Sequence, residues 1–266
     1  MLLTAKILIT FLTVVLLAAV ARRMGAAAAG VLAGFPLGSA ITLYFIGAEQ
    51  GTEFAAEGAV HTIAGLLGCL ALASSYSVVA TRFPRARQIA LPVCLSVLAF
   101  LLVAMVLQYL PRLLWLCLLL TLAGILITRH LLRRIPDHPL TIDQSSFWQK
   151  PVPAILFRAT AATASVLGIT ALAHWLTPAQ AGLLSAFPVS FFPTLVVLQL
   201  SYGAPVVATT VRQYPEGLGA MVVYVVTVTW SYPAFGLNVG TALALGSAIG
   251  YLILYALARR ALRRTT

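Results

Sequence analysis

Acid–base chemistry needs a pair of carboxylates, or a histidine held near a nucleophile, and this chain spreads its six acidic residues too thinly for either. Glu49, Glu53, Glu57, Asp137, Asp143 and Glu216 all fall between apolar runs or at their ends. No apolar run offers a nucleophile beside a base, and Cys69, Cys94 and Cys117 lie too far apart for a metal-ligand spacing or a disulfide framework. An enzyme is therefore not expected, and nothing calls for a cofactor or a metal. A different chemistry is written in two short segments, Gly34-Phe35-Pro36-Leu37-Gly38 and Ala186-Phe187-Pro188-Val189-Ser190-Phe191-Phe192-Pro193. Proline inside a helix removes a backbone hydrogen bond, and the small residue nearby lets the chain bend off the axis. In a membrane, such a broken helix offers backbone groups and dipole ends to a solute.

The polar side chains around these breaks are Ser39, Thr42 and Tyr44 on one side and Ser190, Thr194 and Gln199 on the other. A lone Ser or Thr usually bonds its own helix backbone, so two packing kinks with self-satisfied hydroxyls are the plain alternative. A second polar set follows each break: Glu53, Glu57 and His61 after the first, Arg212, Gln213, Tyr214 and Glu216 after the second. The candidate substrate-binding set is thus Gly34, Phe35, Pro36, Ser39, Thr42, Glu57 and His61, with Phe187, Pro188, Ser190, Thr194, Gln199, Arg212 and Glu216. Lys6 and Arg158 open two apolar runs, where snorkelling to the interface accounts for a basic side chain.

The elements that must carry these residues are membrane helices. The chain is 61% hydrophobic and 9% charged, with a mean hydropathy of +1.00, whereas a soluble domain spends about a quarter of its residues on charge. The apolar runs are about twenty residues long without strict alternation, which selects helices over a barrel. They predict about nine transmembrane helices near residues 2–21, 26–47, 58–81, 88–110, 112–130, 153–175, 178–200, 214–235 and 237–258. The net charge of +11 forms no continuous basic face, so the partner it implies is the lipid bilayer and not nucleic acid. The run from Ile7 to Val20 resembles a signal-peptide core, but it belongs to the repeat described next and is expected to be retained.

With the N-terminus outside, Arg22, Arg23, Arg82, Arg85, Arg87, Arg129, Arg133, Arg134, Lys150, Arg158, Arg212, Arg259, Arg260, Arg263 and Arg264 fall on the inner side and only Lys6 and Arg112 outside. That sorting is the positive-inside pattern and requires an odd number of spans, with the C-terminus cytoplasmic. Independently, residues 29–36 recur at 181–188 with five identities in eight, an offset of 152 that continues ungapped through Thr42/Thr194, Gly51/Gly203, Gly65/Gly217, Leu66/Leu218, Phe83/Phe235 and Ala90/Ala242. Lys6 and Arg158 share the same offset. The implied fold is an all-α membrane protein: a four-helix repeat in 1–110, a connecting helix and cytoplasmic loop in 111–152, and a second, inverted four-helix repeat in 153–266. Inverted repeats with matching broken helices are the plan of many secondary transporters.

The segment Ala181 to Gly203, with its Ala-Gly-Leu and Phe-Pro, resembles the GlpM-like family of small four-helix bacterial membrane proteins, and residues 29–51 look similar. The resemblance implies two such units fused through the connecting helix, a bacterial inner-membrane location and a link with envelope polysaccharide production. It carries across only Phe35-Pro36 and Phe187-Pro188; Ser185 and Ala186 depart from the family pattern. Three functions are expected in descending order: a secondary transporter or facilitator for a small solute, with helix-break amides and basic residues favouring an anion; an ion or solute channel; and a non-transporting membrane subunit of envelope polysaccharide assembly. The Gly236-x-x-x-Gly240 and Gly246-x-x-x-Gly250 spacings permit close helix packing, within the chain or in a homo-oligomer.

Overall fold

A computed structural model describes residues 2–24, 35–83, 89–136 and 147–265, with the backbone alone given for 17–24 and 259–265. Every regular element among them is helical: α1 (Leu2–Met24), α2 (Leu37–Gln50), α3 (Thr52–Arg82), α4 (Ala90–Leu107), α5 (Leu114–Leu132), α6 (Pro151–Leu172), α7 (Pro178–Ser185), α8 (Phe191–Tyr202) and α9 (Ala204–Thr265). Single 3-10 turns at Phe147–Gln149 and Ala173–Trp175 flank α6. Among the described residues, five helical stretches are long and apolar enough to cross a membrane: Thr52–Arg82, Ala90–Leu107, Leu114–Leu132, Pro151–Trp175 and Ala204–Ala258. The chain is an all-α integral membrane protein.

The helices sort by what their apolar side chains touch. In α4 and α5 only Pro92, Ser96, Phe100, Leu107, Cys117 and Thr121 are buried, while Leu102, Met105, Val106, Leu119 and Leu126 stand outward. Water would not tolerate that much exposed aliphatic surface, and lipid welcomes it. The centre is built by α3 and α9, with Ile63, Leu66, Leu72, Tyr76, Tyr224, Val225 and Val228 in one shared core.

Two boundaries differ from those the sequence predicts. Helix α3 begins at Thr52 and α9 at Ala204, ahead of the predicted starts near 58 and 214, so Glu53, Glu57 and Arg212 are helical, as His61 and Glu216 are. The polar residues sit in the first turns, where an acid such as Glu53 meets the positive end of the helix dipole, and hydropathy alone reads such turns as loop. The true junctions are two glycines. Gly51, with φ 99° and ψ 155°, divides α2 from α3, and Gly203, with φ 84° and ψ 176°, divides α8 from α9. That conformation is open to glycine almost alone. A third glycine, Gly236 (φ 74°, ψ 179°), bends the 62-residue α9 into arms 204–235 and 237–265.

Tight crossings hold α7 against α3. Gly58 and Gly182 meet backbone to backbone, and a Cβ at Gly65 would stand 2.6 Å from that of Ala186. The Thr62 hydroxyl lies 2.9 Å from Gly182 O and 2.8 Å from Ser185 Oγ, so the close approach is also hydrogen-bonded.

Candidate functional site

The second break is bounded on both sides by local signals. Helix α7 starts with a reciprocal capping box between Thr177 and Gln180 and has Pro178 at its first position. It ends at Ser185, and α8 resumes at Phe191. Across the gap, Val189 N–H donates to Phe187 O at 2.8 Å and Phe192 N–H to Pro188 O at 2.8 Å. The first break repeats this arrangement: Leu37 N–H donates to Phe35 O at 2.8 Å and Ala40 N–H to Pro36 O at 2.7 Å. Each donor–acceptor pair in one break is the other pair shifted by 152 residues. Gly34 and the rest of residues 25–34 lie outside the described residues.

The two breaks meet. Phe35, Pro36, Gly38 and Ser39 from the first and Phe187, Pro188, Val189, Ser190 and Phe191 from the second line one cavity of about 30 Å³, closed on the α9 side by Tyr214, Leu218 and Met221. That volume suits one or two water-sized groups. A side chain at Gly38 would run into Val189, so glycine is what allows the approach. Ser39 Oγ donates to Ser185 O across the gap at 2.7 Å. Ser190 Oγ is buried and has no partner. Phe191 and Tyr214 stack at 4.0 Å with their planes 7° apart, and Phe187 sits edge-on to Phe100 at 5.2 Å and to Phe192 at 5.6 Å. The aromatic walls are therefore anchored to α4 and α9. Helices α2 and α8 both start at this cavity, and the first N–H groups of a helix have no acceptor within it.

The remaining sequence candidates lie elsewhere or serve their own helices. Thr42 Oγ1 donates to Gly38 O at 2.9 Å and Thr194 Oγ1 to Ser190 O at 2.7 Å, each bonding the carbonyl four residues back. Glu57 pairs with Arg112 at 2.6 Å, and His61 Nε2 lies 3.3 Å from Leu110 O, both at the turn between α4 and α5. Arg212 donates to Ile135 O at 2.7 Å, and Glu216 faces Arg129 at 3.5 Å. Gln199 is 3% exposed and does not line the cavity. Among the described residues, no cluster of three or more His, Cys, Asp or Glu could hold a metal ion.

One constellation escaped the sequence reading. Lys6 does not snorkel: it is 6% exposed, its Nζ lies 2.7 Å from both carboxylate oxygens of Glu49, and it donates to Thr170 Oγ1 at 2.8 Å. His174 Nε2 stands 3.4 Å from the same carboxylate, and Gln50 Nε2 lies 2.6 Å from His174 Nδ1. The group ties α1, α2 and α6 together. Its only sequence signal was a lysine and a glutamate near the ends of apolar runs, and hydropathy does not say which runs are neighbours. No protein-family model, no curated protein and no solved structure matches the chain.

Proposed function

We propose that this chain is a secondary transporter or facilitator that moves a small solute through the cavity between its two Phe-Pro breaks. The observation that carries the reading is the convergence of both breaks, 152 residues apart in sequence, on one cavity. Non-helical backbone at membrane depth is tolerated only where it is buried in protein or lines a water-filled space. Two helix starts around that space favour an anionic solute.

The proposed architecture is nine spans in a 4+1+4 plan, with the halves 1–110 and 153–266 inverted about an axis in the membrane plane. Several features support it. The junction glycines Gly51 and Gly203 adopt matching backbone angles, and the break hydrogen bonds match one for one. Gly38 approaches Ser190, its own partner at the 152-residue offset. Helices α1 and α6 are equivalent and pack together: Lys6 reaches Thr170 while Val14 clusters with Ala159 and Ala162, which is an antiparallel pairing. The basic-residue sorting favours an N-terminus outside, and the resemblance to the GlpM-like proteins favours the bacterial inner membrane.

The test is a thermal-stability screen of the purified protein against small anions, cations and sugars, because a ligand that prefers the folded state raises its melting temperature. The reading predicts at least one stabilising solute whose effect is lost in Ser39→Ala/Ser190→Ala, and saturable counterflow of that solute in liposomes. Single-channel openings in planar bilayers would make the protein a channel. A stabilising solute that the double variant binds unchanged would contradict a site at the breaks.

A further inference from the structure

The two halves treat the cation of one helix in opposite ways: Lys6 is buried, whereas Arg158 is partly exposed with its Nε buried. In the first, Lys6 is neutralised by Glu49 and hydrogen-bonded by Thr170. At the 152-residue offset, Lys6 becomes Arg158 on α6, Glu49 becomes Ser201 on α8, and Thr170 answers to Ala18. The cation is kept while its carboxylate and its hydroxyl are both lost. Arg158 makes no ion pair among the described residues, and its Nε is buried without a partner. A guanidinium whose Nε is buried without an acceptor leaves that edge open to an anion supplied from outside the chain.

The surroundings of Arg158 are polar and equally unfilled. Ser201 Oγ is buried with no partner. Helix α6 packs against α8, and the 3-10 turn before α6 joins them: Trp148 meets the Phe157 ring at 5.5 Å, next to Arg158, and Gln149 Nε2 donates to Ser201 O at 2.8 Å. These contacts bring the end of α8 that carries Ser201 to the part of α6 that carries Arg158, and neither residue pairs with a carboxylate among the described residues. Buried polar groups are rarely left unbonded, and a planar guanidinium is matched best by a two-oxygen anion.

We propose that Arg158 and Ser201 form a binding site for the oxyanion group of an exogenous ligand, a carboxylate or a phosphate, seated where Glu49 sits against Lys6 in the other half. The assignment rests on the two-half reading given above. Such a group has two sources, a dissolved small acid or the phosphate of a lipid headgroup. The site lies outside the break cavity, which neither residue lines.

The experiment measures the melting temperature of the full chain in uncharged detergent at constant ionic strength. Acetate and inorganic phosphate are titrated against chloride, and phosphatidylglycerol against phosphatidylcholine. The site predicts a saturable rise relative to the reference: with acetate or phosphate for a dissolved ligand, with phosphatidylglycerol alone for a headgroup. Arg158→Gln should abolish the rise. Ser201→Glu should melt higher than the parent without any added anion and should no longer respond, because it restores the internal carboxylate. A parent unmoved by every anion, or an Arg158→Gln chain that still responds, overturns the proposal. A Ser201→Glu chain that gains no stability and still responds overturns the equivalence on which it rests. Failure of the solute-pathway reading would show separately, as normal flux through chains with straightened breaks while these melting shifts persist.

Discussion

Lys6 and Glu49 show how much a single charged pair carries when apolar helices surround it. Their side chains are 7% and 14% exposed, and the pair draws in Thr170 from α6 and His174 from the 3-10 turn that follows it. Removing one member strands the other in a low-dielectric interior, a cost of about 3–5 kcal/mol, whereas replacing both with apolar side chains is often neutral. Glu49→Met and Lys6→Met should therefore each lower the denaturation midpoint strongly, and Lys6→Met/Glu49→Met should recover much of the loss. Additive losses in that cycle would mean the pair is not coupled. This pair was illegible in the sequence because pairing depends on helix neighbours, whereas Phe35-Pro36 and Phe187-Pro188 were legible because proline and small residues act on the backbone where they stand. Thr42 and Thr194 fell to the alternative weighed against a ligand role, since each hydroxyl is used by its own helix.

At the scale of elements, glycine sets the geometry that hydropathy cannot report. At Gly51 and Gly203 no atom lies close enough for a new Cβ to collide, apart from Pro205 Cδ at 3.7 Å from that at Gly203. The penalty of alanine at either position is thus one of backbone conformation, about 1–3 kcal/mol. If the junctions are equivalent, Gly51→Ala and Gly203→Ala should destabilise by similar amounts, measured as shifts in thermal midpoint; a cost at only one would argue against equivalent junctions. Gly182→Ala should be worse, because its Cβ would land on the Gly58 backbone and force α7 away from α3, and overpacking typically costs about 1–3 kcal/mol or more. The apolar runs placed α1, α4, α5 and α6 within a few residues. The starts of α3 and α9 were missed because Glu53, Glu57 and Arg212 resemble loop residues until the helix turn beneath them is seen.

At the scale of the molecule, helical class and membrane insertion follow from composition alone, while inversion of the halves stands on the sequence offset and the charge sorting together. Topology is open to direct labelling. In a background lacking Cys69, Cys94 and Cys117, a cysteine at Glu53 should react with an impermeant thiol reagent on intact cells, and one at Arg133 should resist; the reverse order would overturn the orientation. The most direct measurement of the central claim is solute flux in liposomes carrying Pro36→Ala/Pro188→Ala. Alanine restores the missing backbone donors and favours straight helices, so the cavity between the breaks should close while the fold survives. The account predicts a well-folded protein, with its melting temperature retained, and flux reduced at least tenfold. Parent-level flux from that double variant would make both breaks packing kinks and would contradict a pathway between them.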